Sequence, residues 1–203
     1  MEKKIIITIG RQTGSGGRLV ARKLAEELNI PYYDKEVIEE AAKNSGFSKE
    51  FLERHDEKTP NSLLYAFAMN TYAYGGIGDE LPVGTKLYLA QFEAIKNVAA
   101  KGSCVLVGRC ADYFLRDEKG LVRVFISADY KDRLYHVAKS KGLREKEARE
   151  IIRKSDKSRA AYYDFNTDGK WGDASNYDLC LNTTRIGIDG CVKMIKEFIK
   201  TLE

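Results

Sequence analysis

A glycine-rich run, Gly10-Arg11-Gln12-Thr13-Gly14-Ser15-Gly16-Gly17-Arg18, is the stretch of this 203-residue chain best suited to chemistry. Glycines leave backbone N–H groups free to converge on an anion, and a helix beginning just after them adds its positive end. The chemistry implied is phosphate binding. The common phosphate-loop pattern G-x-x-x-x-G-K-[ST] is not met. Gly17 stands where a lysine would follow Gly16, and the next residues are Arg18 and Leu19. Arg18 could supply the missing charge, because a guanidinium binds phosphate with two parallel hydrogen bonds. Ser15 or Thr13 could offer a hydroxyl to Mg2+. The plainer alternative is that the glycines serve only a tight turn.

A second cluster is cationic. Lys131 to Arg159 holds 11 Lys/Arg against 5 Asp/Glu, an excess of +6 in a chain whose net charge is +4. Arg149, Arg153 and Lys157 are spaced by four and share one helix face, and Asp156 lies three residues from both Arg153 and Arg159. Such a concentration suits a polyphosphate. A solvated, salt-bridged helix is the alternative. Nucleic-acid binding is not expected, since it usually spreads basic charge over the fold.

The elements that position these residues alternate. A β-branched strand over 3–9 leads into the turn at Gly14–Gly17. A helix over 15–28 should bury Leu19, Val20, Ala21, Leu24, Ala25 and Leu28. A short strand at Pro31–Tyr33 ends at Asp34. Helical patterns follow over 37–44 and 49–54, the latter capped by Ser48. Leu63 to Tyr72 is an aromatic-rich helical stretch, with Tyr65, Phe67, Met69, Tyr72 and Tyr74 available either to stack on a base or to pack a core or dimer contact. A helix over 86–100 precedes a strand over 104–107 and another over 122–126. Helices over 129–139 and 144–164, a short strand at 179–181 and a helix over 188–202 complete the chain. This alternation predicts a single three-layer α/β/α domain with a mainly parallel sheet, whose ligands bind at the carboxyl ends of the strands.

Composition is that of an ordinary globular domain, without an apolar run long enough to span a membrane. Cys104, Cys110, Cys180 and Cys191 lack C-x-x-C spacing and read as reduced thiols in or near the core of a cytoplasmic protein. With only His55 and His136 to assist them, a zinc site is not expected.

The loop, together with Ile30-Pro31-Tyr32-Tyr33-Asp34-Lys35-Glu36, resembles the cytidylate kinase-like proteins, a branch of the P-loop nucleoside monophosphate kinases. Gly108-Arg109 with Asp112, and Tyr177-Asp178-Leu179 with Asn182-Thr183, fit the same pattern. The resemblance implies a P-loop fold with a helical acceptor-binding subdomain over 35–85 and a lid over 142–172. It implies ATP-dependent phosphoryl transfer, with Mg2+, to a nucleoside monophosphate such as CMP or dCMP. Gly10 to Arg18 would hold donor phosphates, and Asp34, Lys35, Arg109 and Asp112 would meet the acceptor. Arg149, Arg153, Asp156, Lys157 and Arg159 would form the lid, with Arg18, Arg153 and Arg159 acting in catalysis. No metal ligand is assigned firmly; Asp34 and Asp112 are weak candidates. Two other readings stay open: a nucleotide-binding sensor with little catalysis, and a kinase for another small metabolite. Nucleotides are the expected partners, with a homodimer open.

Overall fold

The computed structural model describes residues 4–34, 37 and 83–202. Within them, β1 (Ile6–Arg11), β2 (Tyr32–Tyr33), β3 (Cys104–Val107), β4 (Leu121–Ser127) and β5 (Leu179–Asn182) form a sheet in the order β2-β3-β1-β4-β5. Every described pairing in it is parallel. The helices are α1 (Gly17–Leu28), α2 (Val83–Ala100), α3 (Ala111–Phe114), α4 (Tyr130–Lys141), α5 (Glu145–Asn166) and α6 (Thr183–Lys200).

Side chains alternate across a pleated strand, and here the alternation divides two cores. Ile6, Cys104 and Leu106 face a cluster that includes Ala94, Ile95, Phe114, Tyr162 and Tyr163. Ile7, Ile9, Val105 and Val107 face the opposite layer, built from Val20, Leu24, Val192 and Ile195. A parallel sheet covered on both faces favours apolar residues on both sides, and β3 throughout and β1 at Ile6, Ile7 and Ile9 supply them. The expected three-layer α/β/α sandwich is therefore the observed one. A third, smaller cluster of Leu134, Val137, Ala148 and Ile152 joins α4 to α5 alone. Among the described residues no helix is long and apolar enough to cross a membrane.

Several expectations shift in detail. β1 extends to Arg11, and α1 starts at Gly17 rather than Ser15, with Gly16 as its N-cap. Leu19 consequently falls on the open first turn and is 60% exposed instead of buried. α4 reaches Lys141 and closes on Gly142 in the left-handed conformation. α6 begins at Thr183, with a break at Gly187 (φ 69°, ψ 178°) just before the expected start at Ile188. Cys104, Cys110 and Cys191 are buried thiols, but Cys180 is exposed on β5, at the edge of the sheet. The helix expected over 37–44, apart from Val37, the one expected over 49–54 and the aromatic stretch Tyr65 to Tyr74 lie outside the described residues.

Candidate active site

The loop leaves β1 between β3 and β4, so it sits at the carboxyl edge of the central strand. Its shape is fixed from within and from both sides. The Gln12 N–H donates to the Ile126 carbonyl at 3.0 Å, and the Ser15 hydroxyl to the Gln12 carbonyl at 2.9 Å. The Thr183 hydroxyl donates to the Ser15 carbonyl at 2.8 Å. Gly14 adopts φ 81°, and a Cβ there would lie 2.6 Å from the Arg133 carbonyl oxygen, so α4 rests directly on the loop. With Gly16 as N-cap, α1 has no side-chain cap. The N–H groups of Gly14, Gly16, Gly17 and Arg18 find no acceptor among the described residues. Helix-start amides left this way are suited to receive an anion.

These amides border a cleft of about 980 Å³ between the loop, α4 and the start of α6. Its apolar walls include Leu19, Tyr135 and Ile188, and its polar ones Lys139, Lys141 and Thr184. Thr13 is clamped across the cleft's edge. Its N–H donates to Asp156 Oδ1 at 2.8 Å, and its hydroxyl accepts from Arg159 Nη1 at 2.9 Å. The Asp156 Oδ2 accepts from Arg133 at 2.6 Å, and Arg159 stands 3.9 Å from the same carboxylate. Thus Asp156 and Arg159, from the expected lid, reach the loop.

Arg149 and Arg153 do not. Arg149 pairs with Glu145 and lies over Tyr130, and Arg153, 64% exposed in its side chain, pairs with Glu150. Lys157 is exposed as well. One face of α5 meets the loop while the i, i+4 basic row occupies another. Arg18 also points elsewhere: its Nε lies 2.8 Å from Asp34 Oδ2. The expected substitute for the lysine is bound to a carboxylate.

A second, constricted cavity of about 20 Å³, room for about one water, opens on the other side of Arg159. It is bordered by Arg11, Arg109, Asp112, Tyr163 and Tyr177. Arg109 and Cys110 hold φ of 56° and 54°, a conformation that side-chain-bearing residues rarely adopt outside specialised sites. This turn brings the buried Arg109 guanidinium to 3.4 Å from Asp34 Oδ1. Tyr177 Oη is buried without a hydrogen-bond partner among the described residues. Burial raises the pKa of Asp112 above the usual carboxylate range, partly offset by the hydrogen bond from Tyr163 at 2.7 Å. Burial likewise raises the pKa values of Tyr163 and Tyr177, and the Asp112 carboxylate adds to both. Asp34 and Asp112 are thus committed within the protein, as are Thr13 and Ser15. Among the described residues no group of three or more His, Cys, Asp or Glu could hold a metal. A Mg2+ arriving with a nucleotide would be held there mainly by phosphate oxygens and water. Lys35 lies outside the described residues.

Arg133 and His136, whose Nδ1 lies 3.2 Å from the Gly14 carbonyl, were not among the expected site residues. Their only sequence signal is membership of the basic segment. Thr183 had a better one, because it directly follows a strand.

The sequence pattern of the cytidylate kinase-like family matches residues 6–185. The chain is 27% identical to a cytidylate kinase of Methanopyrus kandleri, covering 98% of this chain and 94% of that one. It is 24% identical to a cytidylate kinase of Pyrococcus horikoshii, covering 98% and 91%. An uncharacterized protein from Eubacterium ventriosum superposes with a TM-score of 0.74 at 32% identity, covering 98% of this chain and 99% of that one. A shikimate kinase from Bacteroides thetaiotaomicron shares the fold at a TM-score of 0.53 and 14% identity, covering 98% and 99%. With its glycine-rich turn between β1 and α1 and this match over residues 6–185, the chain belongs to the cytidylate kinase-like family and is a nucleotide kinase.

Proposed function

We propose that the protein transfers the γ-phosphoryl group of ATP to a nucleoside monophosphate, with CMP or dCMP as acceptor. The observation that carries this reading is the row of unsatisfied amides at Gly14, Gly16, Gly17 and Arg18 facing the large cleft. Donor phosphates would lie along these amides, with the donor base between Leu19, Tyr135 and Ile188. The names of the archaeal relatives support the choice of acceptor.

Phosphoryl transfer asks mainly for alignment and charge neutralisation. Arg159 borders both the donor cleft and the second cavity, so it is placed to meet the phosphoryl group between two nucleotides. Arg109 would take the acceptor phosphate, with Asp34 orienting it and Tyr177 offering its hydroxyl. Arg133 and Asp156 would hold the loop while this happens. The acceptor phosphate is already ionised, so no general base is required.

An ADP-release assay with ATP and a panel of acceptors tests the reading. Turnover with CMP or dCMP supports it. Turnover only with UMP or with an unphosphorylated metabolite reassigns the acceptor. ATP binding without turnover of any acceptor leaves a nucleotide sensor.

A further inference from the structure

Position 17, where a phosphate-loop lysine would stand, is glycine for reasons of space. Its backbone is ordinary helix, absent from the positive-φ glycines. A Cβ on Gly17 would nevertheless lie 2.5 Å from Arg11 Cβ, 3.2 Å from Arg11 Cγ and 3.3 Å from Ile126 Cβ. The stem of Arg11 therefore fills the room that a side chain at position 17 would need. Arg11 ends β1, registers with Ile126 on β4 and is only 5% exposed. It and Arg159 are the two described residues that border both the donor cleft and the second cavity. Arg18, the other candidate for the missing charge, is drawn off to Asp34.

We propose that Arg11 supplies, from the strand side of the loop, the phosphate-contacting cation that a lysine at position 17 would supply from the helix side. Any side chain at position 11 excludes one at position 17 sterically, which accounts for glycine at 17 beside Arg11. A guanidinium at this position can bridge two phosphate oxygens. This inference rests on the kinase reading for the identity of the ligand, but its test does not need an acceptor.

The decisive measurement is ATP and AMP binding by calorimetry on the full chain, for the parent, Arg11→Ala, Arg11→Lys and Arg11→Gly/Gly17→Lys, since the 2.5 Å contact is with Arg11 Cβ and only glycine at position 11 removes it. Loss of a charge-assisted phosphate contact should weaken ATP about 10- to 100-fold in Arg11→Ala. AMP binding should stay within about twofold. Arg11→Lys should retain part of the ATP preference. The double variant, with a lysine in the vacated space, should bind ATP at least about tenfold more tightly than Arg11→Ala. Equal weakening of ATP and AMP, unchanged ATP binding, or no gain in the double variant each overturns the proposal. If Arg11→Ala fails to fold, the ATP-to-AMP ratio in Arg11→Lys and in the double variant decides. A parent that binds ATP but phosphorylates no acceptor defeats the kinase reading and leaves the Arg11 test standing.

Discussion

Thr13 uses its amide, its carbonyl and its hydroxyl on three charged side chains: Asp156, Arg133 and Arg159. A carboxylate on a phosphate-loop amide is an anion in an anion site, held there by two arginines. Arg159 is the member of this group that also borders the second cavity. Arg159→Ala should therefore lower kcat for phosphoryl transfer by about 100-fold, the usual cost of one preorganised charge-stabilising donor. Arg153→Ala, which removes an exposed pair with Glu150, should stay within about twofold. Equal losses in steady-state assays would mean that α5 turns its other face to the nucleotide during turnover. Asp112 makes a different prediction at the same scale. Its folded-state pKa lies above the unfolded value of about 3.9, with burial as the main cause. The folded protein thus binds this proton more tightly than the unfolded chain does. The group favours folding most below about pH 4 and costs stability as pH rises through the window up to its raised value. Asp112→Asn keeps an acceptor for the Tyr163 hydroxyl and removes that cost. The variant should melt higher than the parent at pH 7, with the gap shrinking towards pH 4. A gap that is the same at both pH values would assign the effect to hydrogen bonding instead.

At the scale of elements, the loop and α4 are matched surfaces. Gly14→Ala places a Cβ 2.6 Å from the Arg133 carbonyl, which is backbone and cannot swing aside, at a φ of 81°. It should destabilise the protein by about 1–3 kcal/mol and weaken ATP binding, because α4 must back away from the loop. Gly142→Ala at φ 62° meets nothing within 4 Å. It should cost only the left-handed backbone penalty of about 1 kcal/mol, and denaturant titrations of the two variants separate the cases. The layering of the fold was legible in the sequence because β3 throughout and β1 at Ile6, Ile7 and Ile9 are apolar and each strand is followed by a glycine turn. The loop was legible because four glycines fall within eight residues, directly between a strand and a helix. What the lid arginines face was not. Helical spacing groups Arg149, Arg153 and Lys157 on a common side, but it cannot tell which side of α5 meets α4 and the loop. That depends on Ala148 and Ile152, the residues α5 buries against Leu134 and Val137. The pairing of Arg18 was hidden for the same kind of reason: its partner, Asp34, is brought near only when β2 joins the sheet beside β3.

At the scale of the molecule, α4 and the first half of α5 form a hairpin with its own small core, separate from the two large clusters about the sheet. The far end of α5 is anchored, since Tyr162 and Tyr163 belong to one of those large clusters. A hairpin with a small core and one fixed end is the part of this fold that can move at least cost. Its ties to the loop run through the Asp156 contacts with Arg133 and Thr13 and through His136 at the Gly14 carbonyl. If the γ-phosphate of the proposed donor competes with the Asp156 carboxylate for the Thr13 amide, the nucleotide will be felt in the hairpin as well as in the loop. At 100 times its Kd, a ligand that binds only the folded state adds about 2.7 kcal/mol. That corresponds to a melting shift of about 5–11 °C for a chain of this size. In hydrogen exchange, ATP should change protection over residues 12–18 and also over 130–157, while β3 and the middle of α2, within the large core, change little. AMP, with no γ-phosphate to displace Asp156, should act on the loop and leave 130–157 near its free level. Protection by ATP confined to 12–18 would show that the hairpin is a fixed wall of the donor cleft and that Asp156 keeps its place on Thr13 throughout.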